Sequence, residues 1–105
     1  MSTALDALNS KLFAEQLHTK FKVIVTGQPP VEFELTEVKE HQTAPKLELF
    51  TLTFQGPHAP RLNQQIYHFE HEKLGPFDLF VTAVGADQTG ILYEAVFHRF
   101  RAPQS

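Results

Sequence analysis

The spacing of hydrophobic residues changes from helical to alternating near residue 19. Before that point, apolar residues recur three or four positions apart, which is typical of a helix with one apolar face. These residues are Leu5, Leu8, Leu12, Phe13 and Leu17. Thr3 and Asp6 have the spacing of a helix start, and Ser10 can cap a second turn after a break. The pattern predicts a helical segment over residues 4–18.

From residue 20 onward, apolar and polar residues alternate as they do in half-buried β-strands. Six such runs are separated by turn or loop residues, at 21–25, 31–36, 47–55, 66–72, 77–84 and 91–101. The alternation slips after Thr36 because Val38 has the other parity, which indicates a β-bulge or the strand end. A polar loop is predicted over 39–46 and a hairpin loop over 85–90.

One helical segment followed by six strands predicts a single, mainly β domain over residues 1–105. No helical run separates the strands, so the sheet should be an antiparallel meander. Six strands around one core would close into a small barrel or fold into a sandwich, with the N-terminal helix packed on it. The β-domain should span about residues 20–101, and 102–105 should be a short tail.

Composition narrows the classes of function. Ten Phe and two Tyr supply material for one core, and the absence of Cys excludes disulfides, thiol chemistry and Cys-ligated zinc. A formal charge of −3 without a Lys/Arg cluster disfavours nucleic-acid binding. The N-terminus has no signal-peptide pattern, and no apolar run reaches the length of a membrane span. We therefore expect a cytoplasmic protein with no membrane contact and no cofactor.

The segment His68-Phe69-Glu70-His71-Glu72 is the densest group of candidate ligands. In a regular strand His68, Glu70 and Glu72 share one face, and His71 lies on the other. His68 and Glu70 are therefore the candidate metal ligands. Zinc needs three or four ligands, and the sequence gives no position for the others, so a solvated outer face is the favoured interpretation.

His71 lies on the aromatic face just before the turn at Leu74-Gly75. A buried imidazole must form hydrogen bonds, and the nearest partners are backbone groups of that turn. The sequence thus predicts that His71, together with Gly75, fixes the turn structurally. A ligand-binding or catalytic role for His71 is the alternative.

The sequence offers few candidate catalytic residues. The serines at 2, 10 and 105 lie near the ends and outside any nucleophile elbow. Glu32, Glu34, Glu70 and Glu94 could supply a carboxylate pair, but acids that alternate along strands usually solvate a sheet face. A metal-dependent or carboxylate-based enzyme ranks third, behind a small-ligand-binding barrel with a Phe/Tyr-lined interior.

Several strands are apolar on both faces, and one core cannot accommodate both sets. Part of the second set can lie under the N-terminal helix, and the remainder would be an exposed patch of the kind that marks protein contacts. The leading hypothesis is therefore a non-enzymatic domain that acts through self-association or a protein partner. The candidate contact residues are Leu47, Leu49, Phe80, Val96 and Phe100.

A set of aromatic, leucine and glycine positions extends from about residue 10 to residue 97. It comprises Phe13, Phe21, Val23, Leu52, Phe54, Gly56, Pro57, Leu62, Gln64, Tyr67, Glu70, His71, Leu74, Gly75, Leu79, Phe80, Gly85 and residues 93–97. This pattern resembles a family of short bacterial proteins known only as a domain of unknown function. Residues 1–9 look like an extension, and Gln65 and His68 depart from the pattern.

The resemblance implies a chain encoded beside phage-tail-like or collar-type genes, and with it a structural or accessory role in such a particle. The motifs that carry it are structural in type. They imply a fold and no particular chemistry.

Overall fold

The computed structural model of the protein describes residues 10–41 and 47–100, with the backbone alone at 47–48 and 98–100. These residues form one short helix and six strands. They are α1 (Ser10–Ala14), β1 (Lys20–Ile24), β2 (Val31–Glu40), β3 (Leu47–Gly56), β4 (Gln65–His71), β5 (Gly75–Asp87) and β6 (Gly90–Phe100).

The six strands form one antiparallel sheet that closes into a barrel in the order β1-β2-β3-β6-β5-β4. The predicted mainly β, six-stranded antiparallel fold is confirmed, and of the two predicted closures the barrel is the one observed. The meander needs one correction. Strands β1–β3 and β4–β6 are each a three-stranded meander, but β3 pairs with β6 and β4 pairs with β1. The connection from β3 to β4 therefore crosses one end of the barrel.

Alternation of apolar and polar residues places one face of each strand inside the barrel. On β1, Phe21 and Val23 are buried, whereas Lys20, Lys22 and Ile24 are exposed. Six of the ten phenylalanines are completely buried, and their rings contact one another across the barrel. Closure places the described inward apolar side chains in one cluster, which is the core of the domain.

The slip in alternation on β2 is a β-bulge. The register with β3 shifts between Leu35 and Glu37, so Thr36 is the extra residue. Val38 then pairs with Leu52 and packs partly buried against the core. Strand β2 continues to Glu40, so residues 39 and 40 belong to a strand and not to the predicted loop.

The helix is shorter than the sequence predicts. It ends at Ala14, residues 15–18 form turns, and His18 has a φ of 66°. The His18 N–H donates to the Leu35 carbonyl at 2.7 Å, so the chain joins β2 instead of continuing the helix. The part of the prediction at residues 4–9 lies outside the described residues.

Phe13 fills the barrel end beneath α1. Its ring lies 5.4–6.4 Å from the rings of Phe21, Phe50, Phe77 and Phe97, which come from four different strands, and it is fully buried. The Ser10 hydroxyl donates to Glu40 Oε2 at 2.9 Å and attaches α1 to β2. The helix thus packs over the end of the barrel, and Phe13 is the side chain that enters it.

The opposite end is covered by the connection between β3 and β4. Leu62 is 4% exposed, and its N–H donates to the Tyr93 hydroxyl at 2.9 Å. The Tyr67 hydroxyl donates to the Asn63 carbonyl at 2.7 Å. Two inward tyrosines therefore satisfy backbone groups of the segment that crosses this end.

Candidate functional site

Apolar side chains remain exposed on the outer wall formed by β4, β5 and β6. We call Ile66, Phe80, Val84 and Val96 the β4–β6 patch. Their exposed fractions are 65%, 49%, 54% and 56%, although the described core of the same barrel is closely packed. Exposed apolar patches of about 300–600 Å² on monomers are often functional. Because these four side chains are exposed, packing in the core does not explain why they are apolar.

Strand register brings the patch residues together. Ile66 and Phe80 are direct cross-strand partners on β4 and β5. Phe80 and Val96 each lie two residues from the Thr82–Glu94 pair, on the same outer face. Val84 is the extra residue of a bulge between Ala83 and Gly85, which keeps it on the outside while its neighbours continue the ladder.

With His counted as neutral, the described charged residues beside the patch on β5 and β6 are acidic. Asp78 precedes Phe80 on the outer face of β5 and pairs with His68, and its side chain is 68% exposed. Glu94 lies on β6 between Thr53 and Thr82. The Lys39 position on β2 is separated from Val96 by Thr51 of β3. The outer wall therefore has an apolar centre with negative charges beside it.

Two of the five predicted contact residues, Phe80 and Val96, lie in the patch. Leu49 is half-buried and pairs with His98. Leu47 and Phe100 are backbone partners at the far end of β3 and β6, and their side chains lie outside the described set. The sequence interpretation missed Ile66, although its parity with His68 and Glu70 was the signal that could have found it.

His68 lies between two carboxylates on the outer wall. Its Nδ1 is 2.9 Å from Asp78 Oδ1, and its Nε2 is 3.4 Å from Glu70 Oε2. Because the two acids contact opposite edges of the imidazole, they do not converge on one ligand position. Within residues 10–41 and 47–100, no group of three or more His, Asp or Glu side chains could hold a metal ion.

His71 is 7% exposed at the start of the β4–β5 turn. Its Nδ1 accepts hydrogen bonds from the Lys73 and Leu74 N–H groups at 3.0 and 3.1 Å. Its Nε2 lies 2.8 Å from the Thr19 hydroxyl, which donates to the Gln16 carbonyl at 2.6 Å. Gly75 closes the same turn with a φ of 79°. The imidazole thus joins this turn to the connection between α1 and β1.

These contacts assign the tautomer of His71. An Nδ1 that accepts two N–H groups carries no proton, so Nε2 carries it and donates to Thr19. Burial lowers the pKa of His71 below its ordinary value, with Lys73 acting in the same direction and Glu72 opposing both. The geometry is that of a neutral imidazole with both nitrogens occupied.

The barrel interior is occupied by rings in contact. Phe33 stacks on Tyr93 with centroids 4.5 Å apart, and Phe69 stacks on Phe77 at 5.5 Å. Every buried side-chain nitrogen or oxygen among the described residues has a hydrogen-bond partner.

Among the described residues, no helix has the length and apolar character required to cross a membrane.

The family described as Domain of unknown function (DUF6916) matches residues 8–97. No curated protein and no solved structure matches the chain.

Proposed function

The chain belongs to the DUF6916 family, and we propose that it is a non-enzymatic protein-contact domain that binds through the β4–β6 patch. The observation that carries the proposal is the Ile66–Phe80 pair. These two partners on adjacent strands expose 65% and 49% of their surface on the outside of a barrel that buries its other described phenylalanines. Removing such side chains from water on contact is favourable by about 25 cal/mol per Å².

The rigid support beneath the patch favours the same function. Tyr67 and Leu79 are buried neighbours of Ile66 and Phe80 on the inward face. Buried side chains therefore hold the backbone beneath the patch in place. Binding would require little further ordering of this backbone, so the entropy cost of association is lower. The contacting interior rings give no support to the ligand-binding barrel, so we do not propose that role.

The setting that we propose for this contact is a larger assembly, in line with the tail-like or collar-type particle that the resemblance implies. The observation that tests the setting is gene neighbourhood. Flanking genes for tail or collar proteins in most genomes that encode this domain would support it. Unrelated neighbours throughout would contradict it.

The contact itself is tested with a double variant, Ile66→Ser with Phe80→Ser, as bait in the native cells. We expect the wild-type chain to co-purify with a partner that the double variant loses, and the complex to re-form from the two purified proteins. Lys20→Ser is the control, because Lys20 is exposed on β1 and pairs with Glu34 of β2, away from the patch. Retention of every partner by the double variant, together with an unchanged monomeric mass in light scattering, would contradict the proposal.

A further inference from the structure

The charges that border the β4–β6 patch restrict the chemistry of its partner. Asp78 and Glu94 lie two positions from Phe80 and Val96 on the same outer faces. Glu70 lies two positions beyond His68 on β4, where its cross-strand partner is the exposed Lys22 of β1, so the acidic border consists of Asp78 and Glu94. With His counted as neutral, the bordering residues on β4, β5 and β6 whose side chains the structure describes contribute only negative charge.

A second copy of the chain fits this surface poorly. A two-fold dimer through the patch would place the same surface of both copies face to face. Asp78 and Glu94 of one copy would then approach the acids of the other, and like charges at an interface oppose association. The border therefore disfavours self-association and favours a different protein of opposite charge.

We propose, on the basis of the contact function above, that the partner presents an apolar centre bordered by Lys or Arg side chains. The apolar centre covers Ile66 and Phe80. The basic border lies against Asp78 and Glu94. There it fixes the orientation of the partner and raises the association rate more than it raises the affinity. Because these acids are solvent-accessible, the attraction weakens as salt is added.

The test uses two synthetic amphipathic helical peptides with the same Leu/Trp face, one bordered by Lys and the other by Glu. The chain contains no Trp, so peptide tryptophan fluorescence reports binding without background from the protein. At low salt we expect the Lys peptide to bind about five- to tenfold more tightly than the Glu peptide, as two exposed charge pairs would give. The preference should shrink at high salt.

Variants separate the two proposals. Asp78→Asn with Glu94→Gln should reduce the Lys preference to about twofold or less. Glu15→Gln with Glu32→Gln is the charge-matched control, because both are exposed acids, just after α1 and on β2, away from the patch, and the pair should keep the preference. Phe80→Ser should weaken both peptides.

Equal binding of both peptides, or tighter binding of the Glu peptide, with loss on Phe80→Ser would overturn the basic-border proposal and leave the contact function standing. A dimer of the chain that Phe80→Ser dissociates would do the same, with a second copy as the occupant. Absence of binding by either peptide, or binding that Phe80→Ser leaves unchanged, would contradict both proposals.

Discussion

The His71 imidazole remains neutral because both of its nitrogens already have fixed hydrogen-bonding roles. Protonation would place a hydrogen on Nδ1, against the N–H groups of Lys73 and Leu74 that point at it. His71 also borders a surface pocket whose charged lining side chains are Lys20 and Lys22 on β1, Glu32 on β2, and Glu70 and Glu72 on or just after β4. The attraction of Glu72 is smaller than the effect of burial, so the pKa of His71 is lowered.

The lowered pKa has a consequence for stability. The unfolded chain binds a proton at His71 near the ordinary pKa of about 6.5, but the folded chain binds it only at lower pH. The stability from this group is therefore fully present above pH 6.5 and is lost as the pH falls from there through the folded pKa. Urea unfolding between pH 5 and pH 8 should show this decline.

Two substitutions at His71 isolate the effect. His71→Phe should remove this pH dependence and cost about 1–3 kcal/mol at neutral pH, because the turn N–H groups lose their acceptor. His71→Asn keeps an acceptor near Nδ1 and should also remove the dependence at a smaller cost. His58→Gln, at an exposed loop residue, should keep the wild-type dependence. An unchanged slope in His71→Phe would show that another group is responsible.

At the scale of elements, the β5–β6 turn depends on a glycine at one position. Asp87 Oδ1 accepts from the N–H groups of Thr89 and Gly90 at 2.9 and 3.0 Å. Hydrogen bonds from Thr89, first its hydroxyl, hold the pKa of Asp87 below its ordinary range. At Gly90, a Cβ atom would lie 1.9 Å from the Gly56 carbonyl oxygen. The backbones of β3 and β6 therefore meet too closely for any side chain there.

Gly90→Ala should consequently destabilise the domain by about 2–4 kcal/mol, in the upper part of the range for point mutants, because backbone must shift to admit the methyl group. Gly85→Ala is the matched control. No atom lies within 4 Å of its added Cβ, so the free energy of unfolding should change by about 0.5 kcal/mol or less. Equal destabilisation by the two variants, measured by urea unfolding, would contradict the close-approach argument.

The helix α1 closes the barrel end with the Phe13 ring, while Ser10 bonds to Glu40 of β2 and Leu12 packs partly buried against the core. Phe13→Ala removes the ring that closes the barrel end and should cost about 3–5 kcal/mol, as for large-to-small core changes. Phe80→Ala removes the same atoms from an exposed position and should cost about 1 kcal/mol or less. Thermal or urea unfolding of the pair measures the difference. Similar losses would show that Phe13 is not the end plug.

Local patterns predicted the elements of this fold but not their assembly. Local patterning located all six strands, because parity depends only on neighbouring residues, and it left a bulge or the strand end open after Thr36, of which the structure shows the bulge. The β3–β6 and β1–β4 pairings depend on contacts distant in sequence, so the meander was wrong at the β3–β4 connection. The helix was predicted too long because the His18 N–H bonds to Leu35 of β2, a partner that helical spacing cannot reveal.

The same limit applies to the candidate site. Parity showed that Phe80 and Val96 face away from Leu79 and Phe97. Only the ring closure shows that Phe13 enters the barrel end, while Phe80 and Val96 are exposed on the outer wall. Likewise, the order of residues in 68–72 separated His71 from His68. The Thr19 contact to His71 spans 52 residues, so sequence spacing could not supply it.

At the scale of the whole molecule, net charge and the exposed patch act on the same property, which is solubility. The formal charge is −3 with all six His neutral and becomes +3 when they are protonated, and the pI is about 6.0. Near that pH the molecules no longer repel one another, and an exposed apolar patch promotes association. We expect a solubility minimum near pH 6, measured as soluble protein after centrifugation across pH 5–8.

Charge and patch can be separated because they predict different changes. Phe80→Ser leaves the net charge unchanged, so the minimum should stay at the same pH and become shallower. Glu32→Gln removes one negative charge far from the patch and should move the minimum to higher pH without making it shallower. A minimum that is equally deep in Phe80→Ser would show that the patch plays no part in the loss of solubility near pH 6.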